Sequence, residues 1–482
     1  MSTTMAEQSV SLSSGPNDRP AVIVVLDIGK TNIKLGALTL QGGHCLRTLR
    51  RANGVETGVL GYPQVDVEGI WQWLLEGLAQ LAQHYQIARI GITTHGATVA
   101  CVNPAQGEEG LVLPILDYEH VLEGNDAYRS LRPDFDETLS PALPAGLNLA
   151  AQLHWLAQQF PQLFADCRAL LMYPQYWGWR LSGVLAGERT SLGCHTDLWN
   201  PSRNDYSSLL DRLGWRALMP EILPTGAVLG ALKPALAAQL GIGEDCLVLN
   251  GIHDSNASLV PHLQRRQQPF TVISSGTWTV MCGVGGELAH LDRHADMLCN
   301  VDAFGAAVPC IRFMGGREWE QLSGQQPGDW QDALAVMAAE VLALPCFAPQ
   351  GGPFQQRQGR VLGAPEQLSD SERSALAALY CALMTDYCLR LLGQSTALDQ
   401  GDIIVEGSFA SNPLYLQLLA SLRPQQRVLQ SIDSTGTTLG TALLAGTFTL
   451  TDYDQQLLQV PSQPCAELQG YRQQWLRMIR VD

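Results

Sequence analysis

The sequence predicts an α/β protein of two related domains packed around a cleft, and three observations carry that expectation. Short β-branched runs alternate with segments of helical periodicity from one end to the other, the pattern of helices layered on sheets. A strand, polar turn and strand near the start recur about 245 residues later, which suggests a tandem pair. No low-complexity linker separates the halves, so the two are expected to pack together rather than hang apart.

Residues 1–20 are polar and lack both the basic and the apolar region of a signal peptide, so they are expected to form a disordered tail. The first domain is expected to span 21–262. It opens with the apolar run 21–26, continues through Asp27-Ile28-Gly29 and turns into a second strand over 33–40, a hairpin signal. Apolar Ile70, Trp71, Leu74, Leu75, Leu78 and Leu81 predict a helix over 68–86, and 150–159 has the same periodicity. Strands are expected at 88–93 and 246–250. The second domain, 263–482, repeats the hairpin as a strand over 269–273, a turn over 274–277 and a strand over 278–283. A helix over 367–393, a strand over 402–405 and a helix over 412–422 follow. The aromatic-rich stretch holding Tyr173, Gln175, Tyr176 and Trp177 suits a core helix better than a ligand-stacking face.

Composition narrows the partners. A net charge of −16 with no run of five Lys or Arg argues against nucleic acid and anionic membrane, which reward clustered positive charge. Any anion site must then be built locally, from backbone N–H groups, a few cations and a metal. The 12 cysteines form no CxxC pair, so reduced thiols are expected. No apolar stretch reaches the roughly 18 residues a membrane helix needs, and a cytoplasmic protein is expected. Dimerisation is left open.

Gly29-Lys30-Thr31 invites a P-loop reading, which fails because Val24 stands where that loop requires glycine. What remains is a tight turn with Lys30, Thr31 and Asn32, preceded by Asp27 at the strand end. Such a turn is either a solvated hairpin or a set of backbone donors facing an anion, with a carboxylate able to hold hydrated Mg²⁺. The turn Ser274-Ser275-Gly276-Thr277 has the same character, and two donor-rich turns on paired domains could grip a triphosphate from both sides.

These motifs, in this order, resemble the FGGY carbohydrate kinase family over nearly the whole sequence after the tail. The opening turn matches at Asp27, Gly29, Thr31 and Lys34, the central Gly-x-x-Asp motif at Gly251-Ile252-His253-Asp254, and the phosphate turn at Ser274 to Trp278. Glu406-Gly407-Ser408 and Thr437 to Ala442 resemble the adenosine loop and the small-residue helix after it. Three departures stand out: only Gly407 survives of the usual triple glycine, Gly96-Ala97-Thr98 replaces an acid or amide with a hydroxyl, and the motif around Asp117 lacks its Trp and Arg.

The resemblance implies two ribonuclease H-like domains of the actin/hexokinase type, the first with the sugar site and catalytic base, the second with the nucleotide site. It implies ATP and Mg²⁺ as cofactors and a small-molecule sugar as substrate. Asp254 is expected to be the general base, with a helix N-cap as its alternative role. His95, Gly96, Asp117 and His253 are expected at the sugar, each of the two histidines having a purely structural alternative. Lys30, Thr31, Asn32, Ser275, Gly276, Thr277 and Gly407 are expected at the nucleotide, and Asp27 at the metal. The Ser-Ser-Gly-Thr-Trp and Gly-x-His-Asp-Ser signatures lean toward kinases of L-rhamnulose and L-fuculose. A pentulose or polyol kinase, a non-catalytic sugar or nucleotide sensor and an actin-like ATPase stay open as alternatives.

Overall fold

The computed structural model describes residues 19–348, 351–394, 397–432, 436–450 and 457–481. Of the expected tail, residues 1–18 lie outside the described residues.

Two sheets of like topology organise the protein. In the first, Ala21–Ile28 pairs antiparallel with Asn32–Thr39, which pairs antiparallel with Cys45–Ala52. On its other side Ala21–Ile28 runs parallel to Gln86–Thr94, which runs parallel to Leu247–Leu249, and Val228–Ala231 closes that edge antiparallel. The second sheet repeats this around Phe270–Ser275, with Thr279–Val284 and Ala307–Phe313 antiparallel on one side and Asp402–Gly407 and Val428–Ser431 parallel on the other. Met297–Val301 and Leu457–Val460 extend its two edges. The repeated hairpin in the sequence is therefore the start of a repeated domain.

Unbroken apolarity in the first strand follows from cover on both faces. Val22, Val24, Leu26 and Ile28 pack on Ile70, Leu74 and Leu78 of helix Val67–Ala82. Ile23 and Val25 pack on Leu439, Ala442 and Leu443 of helix Gly436–Leu443, so a helix of the second half lies on the first sheet. Residues between Gln86–Thr94 and Val228–Ala231 build a further core around Leu149, Leu153, Trp155, Leu170 and Trp199. The aromatic stretch forms helix Tyr173–Ser182, buried from Tyr173 to Leu181 as a core helix should be.

Several boundaries shift for tertiary reasons. The helix expected over 68–86 stops at Ala82, because the backbone must rejoin the sheet where Gln86 pairs with Ala21. Ser274 and Ser275 belong to the strand, since its parallel pairing with Asp402–Gly407 runs on to Ser275 opposite Gly407. The turn thus narrows to Gly276, Thr277 and Trp278. Helix Asp370–Leu392 is long and apolar enough to cross a bilayer by composition, yet its apolar window is 83% buried inside the protein, which makes it the central core helix of the second domain.

Candidate active site

The sheet register gathers the first group of residues. Asp27 lies beside Thr93 and Ile28 beside Thr94, while Ile252 and His253 pair with Thr93 and Thr94 from the other side. Asp27, His95 and Asp254 therefore leave three neighbouring parallel strands at the same carboxyl edge, where α/β sheets place their ligands.

Asp254 opens the short helix Asp254–Ala257, and its Oδ1 accepts from the Ser255 amide at 2.6 Å and the Ser255 hydroxyl at 3.2 Å. Among the described residues no protein donor reaches Oδ2. The side chain is 29% exposed, yet the surrounding protein raises its pKa by desolvation, countered by His95, Ser255 and Lys34. That combination describes a carboxylate partly open to solvent yet largely surrounded by protein. His95 keeps its Nδ1 at 3.0 Å from the Gly96 carbonyl, and burial lowers its pKa.

His253 and Gly96 occupy each other's space. The His253 ring lies where a Cβ on Gly96 would come within 2.7 Å of its Nε2, so the glycine leaves room for the imidazole. His253 is 5% exposed, its Nε2 faces Asp254 Oδ1 at 3.3 Å, and its Nδ1 meets the Asn256 amide at 3.1 Å. Burial pushes its pKa down to about 4.

Lys30 sits elsewhere than the turn suggested. Its ammonium is paired with Asp117 and lies 3.6 Å from Glu119, over the Tyr118 ring at 4.4 Å. It therefore groups with Asp117 on the side expected for sugar, while Thr31 and Asn32 remain exposed at the hairpin turn. The cation beside Asp27 is Lys34, at 3.6 Å, with the Thr438 hydroxyl at 3.5 Å. The motif match at Lys34 carried no role for it. The pairing rule of the hairpin does, because Asp27 and Lys34 stand directly opposite in register.

Asp27 is buried, and desolvation together with nearby Asp254 raises its pKa to about 6 against the pull of Lys34. Two carboxylates sharing one low-dielectric edge are hard oxygen donors short of positive charge, which suits a hydrated divalent cation. No cluster of three ligating side chains occurs among the described residues.

At the matching end of the second sheet, the Ser275 hydroxyl donates to the Glu406 carbonyl at 2.5 Å and accepts from the Phe409 amide at 2.9 Å. The hydroxyl is committed to holding the loop, and Gly276 and Thr277 are the exposed members of the turn. Gly407 has φ 77° and ψ −149°, and a Cβ there would fall 1.9 Å from the Ser275 carbonyl oxygen. Glu406 meets His262 Nε2 at 2.8 Å. Gly315 and Gly316 give no local sign of their part in the site: a Cβ on Gly316 would stand 2.2 Å from the Gly276 oxygen, so helix Gly315–Leu322 starts hard against the turn.

Comparison with known proteins fits this geometry. Residues 135–261 match the N-terminal domain of the FGGY family of carbohydrate kinases, and 267–454 match the carbohydrate kinase FGGY C-terminal domain. The crystal structure of a carbohydrate kinase from Novosphingobium aromaticivorans is 34% identical, with a TM-score of 0.86 over 96% of this protein and 99% of that one. An L-fuculokinase of Salmonella typhi is 25% identical over 94% of this protein and 97% of its own length. A rhamnulokinase of Oceanobacillus iheyensis is 26% identical over 54% of this protein and 55% of its own.

Proposed function

Because the chain belongs to the FGGY carbohydrate kinases and is an ATP-dependent sugar kinase, we propose that it phosphorylates O1 of a 6-deoxyketohexose such as L-rhamnulose or L-fuculose, with Asp254 as general base. The observation that carries this reading is the half-satisfied carboxylate: Ser255 fills Oδ1 and orients the group, which leaves Oδ2 to take a proton. Phosphoryl transfer asks little else of the protein beyond positioning and charge. A raised pKa also makes Asp254 a stronger base than an ordinary aspartate.

In this reading Asp117, Lys30 and His95 face the sugar. Lys30 is neutralised by Asp117 and Glu119, an arrangement that favours an uncharged polyol over a sugar acid. The turn at Gly276 and Thr277 and the backbone at Gly407 face the nucleotide, together with Thr31 and Asn32. Asp27, with Asp254 nearby, would hold Mg²⁺. When bound, the ion would neutralise charge on the phosphates. Lys34 sets the Asp27 carboxylate and adds a fixed positive charge to the same edge.

A coupled ADP-release assay across L-rhamnulose, L-fuculose, L-ribulose, D-xylulose and glycerol tests the substrate. Highest kcat/KM on one of the two 6-deoxyketohexoses is expected. A preference for D-xylulose or glycerol would overturn the assignment.

A further inference from the structure

Resting on the reading of Asp254 as base, we infer that Glu188 and Thr190 are positioning residues for it, acting through the main-chain N–H of His253. The direction of the Asp254 side chain is set where strand Ile252–His253 breaks into helix Asp254–Ala257. At that break the His253 N–H donates to the Thr190 hydroxyl at 3.0 Å, and that hydroxyl donates its own proton to Glu188 Oε2 at 2.7 Å. A hydroxyl has one proton to give. Committing it to the carboxylate turns the oxygen lone pairs toward His253, so Glu188 dictates the direction of the relay.

The carboxylate itself is fully occupied. Glu188 Oε1 accepts from the Thr190 amide at 2.8 Å and the Thr225 hydroxyl at 2.6 Å, and Oε2 also faces the Ser191 amide at 3.4 Å. Glu188 and Thr190 are both 0% exposed, and no salt bridge to Glu188 occurs among the described residues. Burying a carboxylate without a cation is costly, and capping the four-residue helix Arg189–Leu192 would need only the two amide bonds. The hydroxyl bonds at Thr190 and Thr225 exceed that need. The same segment is clamped from its other side, where Gln175 Nε2 donates to the Gly251 carbonyl at 3.0 Å and the Asn250 amide donates to the Gly187 carbonyl at 3.1 Å. The base thus hangs from a peptide unit fixed by buried polar groups, the arrangement that holds a reacting group in place.

The test compares Thr190→Val, which keeps the shape and loses the hydroxyl, with Thr190→Ser, which keeps the hydroxyl. In the full-length enzyme with ATP and its best ketose, T190V is expected to lose about 10- to 100-fold in kcat with KM for ATP unchanged, and T190S to stay within about threefold of wild type. Equal kcat in T190V and T190S would overturn the inference. Should T190V fail to fold, Glu188→Gln is judged by the same drop in kcat at constant KM for ATP, and retained kcat overturns the inference again. Asp254→Asn is measured alongside. Turnover retained in D254N would remove the base reading itself, whereas a dead D254N with a fully active T190V would sink only the positioning role.

Discussion

Asp254 is the first residue of its helix rather than the N-cap, which is His253, and its Oδ1 accepts the amide of the next residue, Ser255. A base must be ionised to act, so activity rises with pH through its pKa. Burial, the largest influence, raises that pKa, and the acid limb of kcat/KM is expected above the usual aspartate value near 3.8. A pH–rate profile checks this, and a limb at the ordinary carboxylate position would contradict it. The strand-end positions of Asp27, His95 and Asp254 were legible because each follows an apolar run that reads as a buried strand. Lys34 was legible in principle from the register of its hairpin. The partner of Lys30 was not: Asp117 is 87 positions away, and only the fold brings the two together. Nor was the use of Gly96, since nothing local to it announces the His253 ring.

Elements were legible at their centres more than at their ends. Strand–helix alternation and the two hairpins came from periodicity, while strand Phe270–Ser275 outran its apolar residues because backbone pairing with Asp402–Gly407 carried it into two serines. The far end of that pairing is Gly407, whose backbone conformation only glycine adopts readily. Gly407→Ala is expected to lose at least about 1–3 kcal/mol of stability, before counting the clash with Ser275. A thermal melt decides it, with an unchanged midpoint as the contrary result. Helix Gly315–Leu322 supplies a second prediction. Its Glu318 is buried against the Tyr380 hydroxyl and the Phe347 amide, and burial raises its pKa. A carboxylate with a raised folded pKa adds stability that is complete below its unfolded pKa and lost as pH rises through the folded one. Denaturation midpoints should therefore fall as pH rises above the ordinary glutamate pKa near 4.5, and Glu318→Gln should flatten the slope. An identical slope in both proteins would contradict the assignment.

At the scale of the molecule, the tandem repeat was visible in the sequence but the crossing between halves was not. Helix Gly436–Leu443 belongs to the second half by position and covers the first sheet by contact, carrying Thr438 to Asp27 and seating Gly440 where a Cβ would lie 1.8 Å from the Ala257 carbonyl oxygen. Small residues there were legible as a pattern; their reason is a neighbour more than 180 positions upstream. Gly440→Ala must push the helix off the short helix that begins with Asp254. A loss of about 1–3 kcal/mol is expected, with a fall in kcat, measured by thermal melt and ADP release; wild-type values for both would count against this packing. The most direct test of the account is turnover by Asp254→Asn on the best ketose, with ATP binding followed in the same preparation. With Asp254 as base, kcat is expected to fall by about 10²- to 10⁴-fold with nucleotide affinity nearly unchanged. Turnover near wild type in a folded, ATP-binding D254N protein would contradict it.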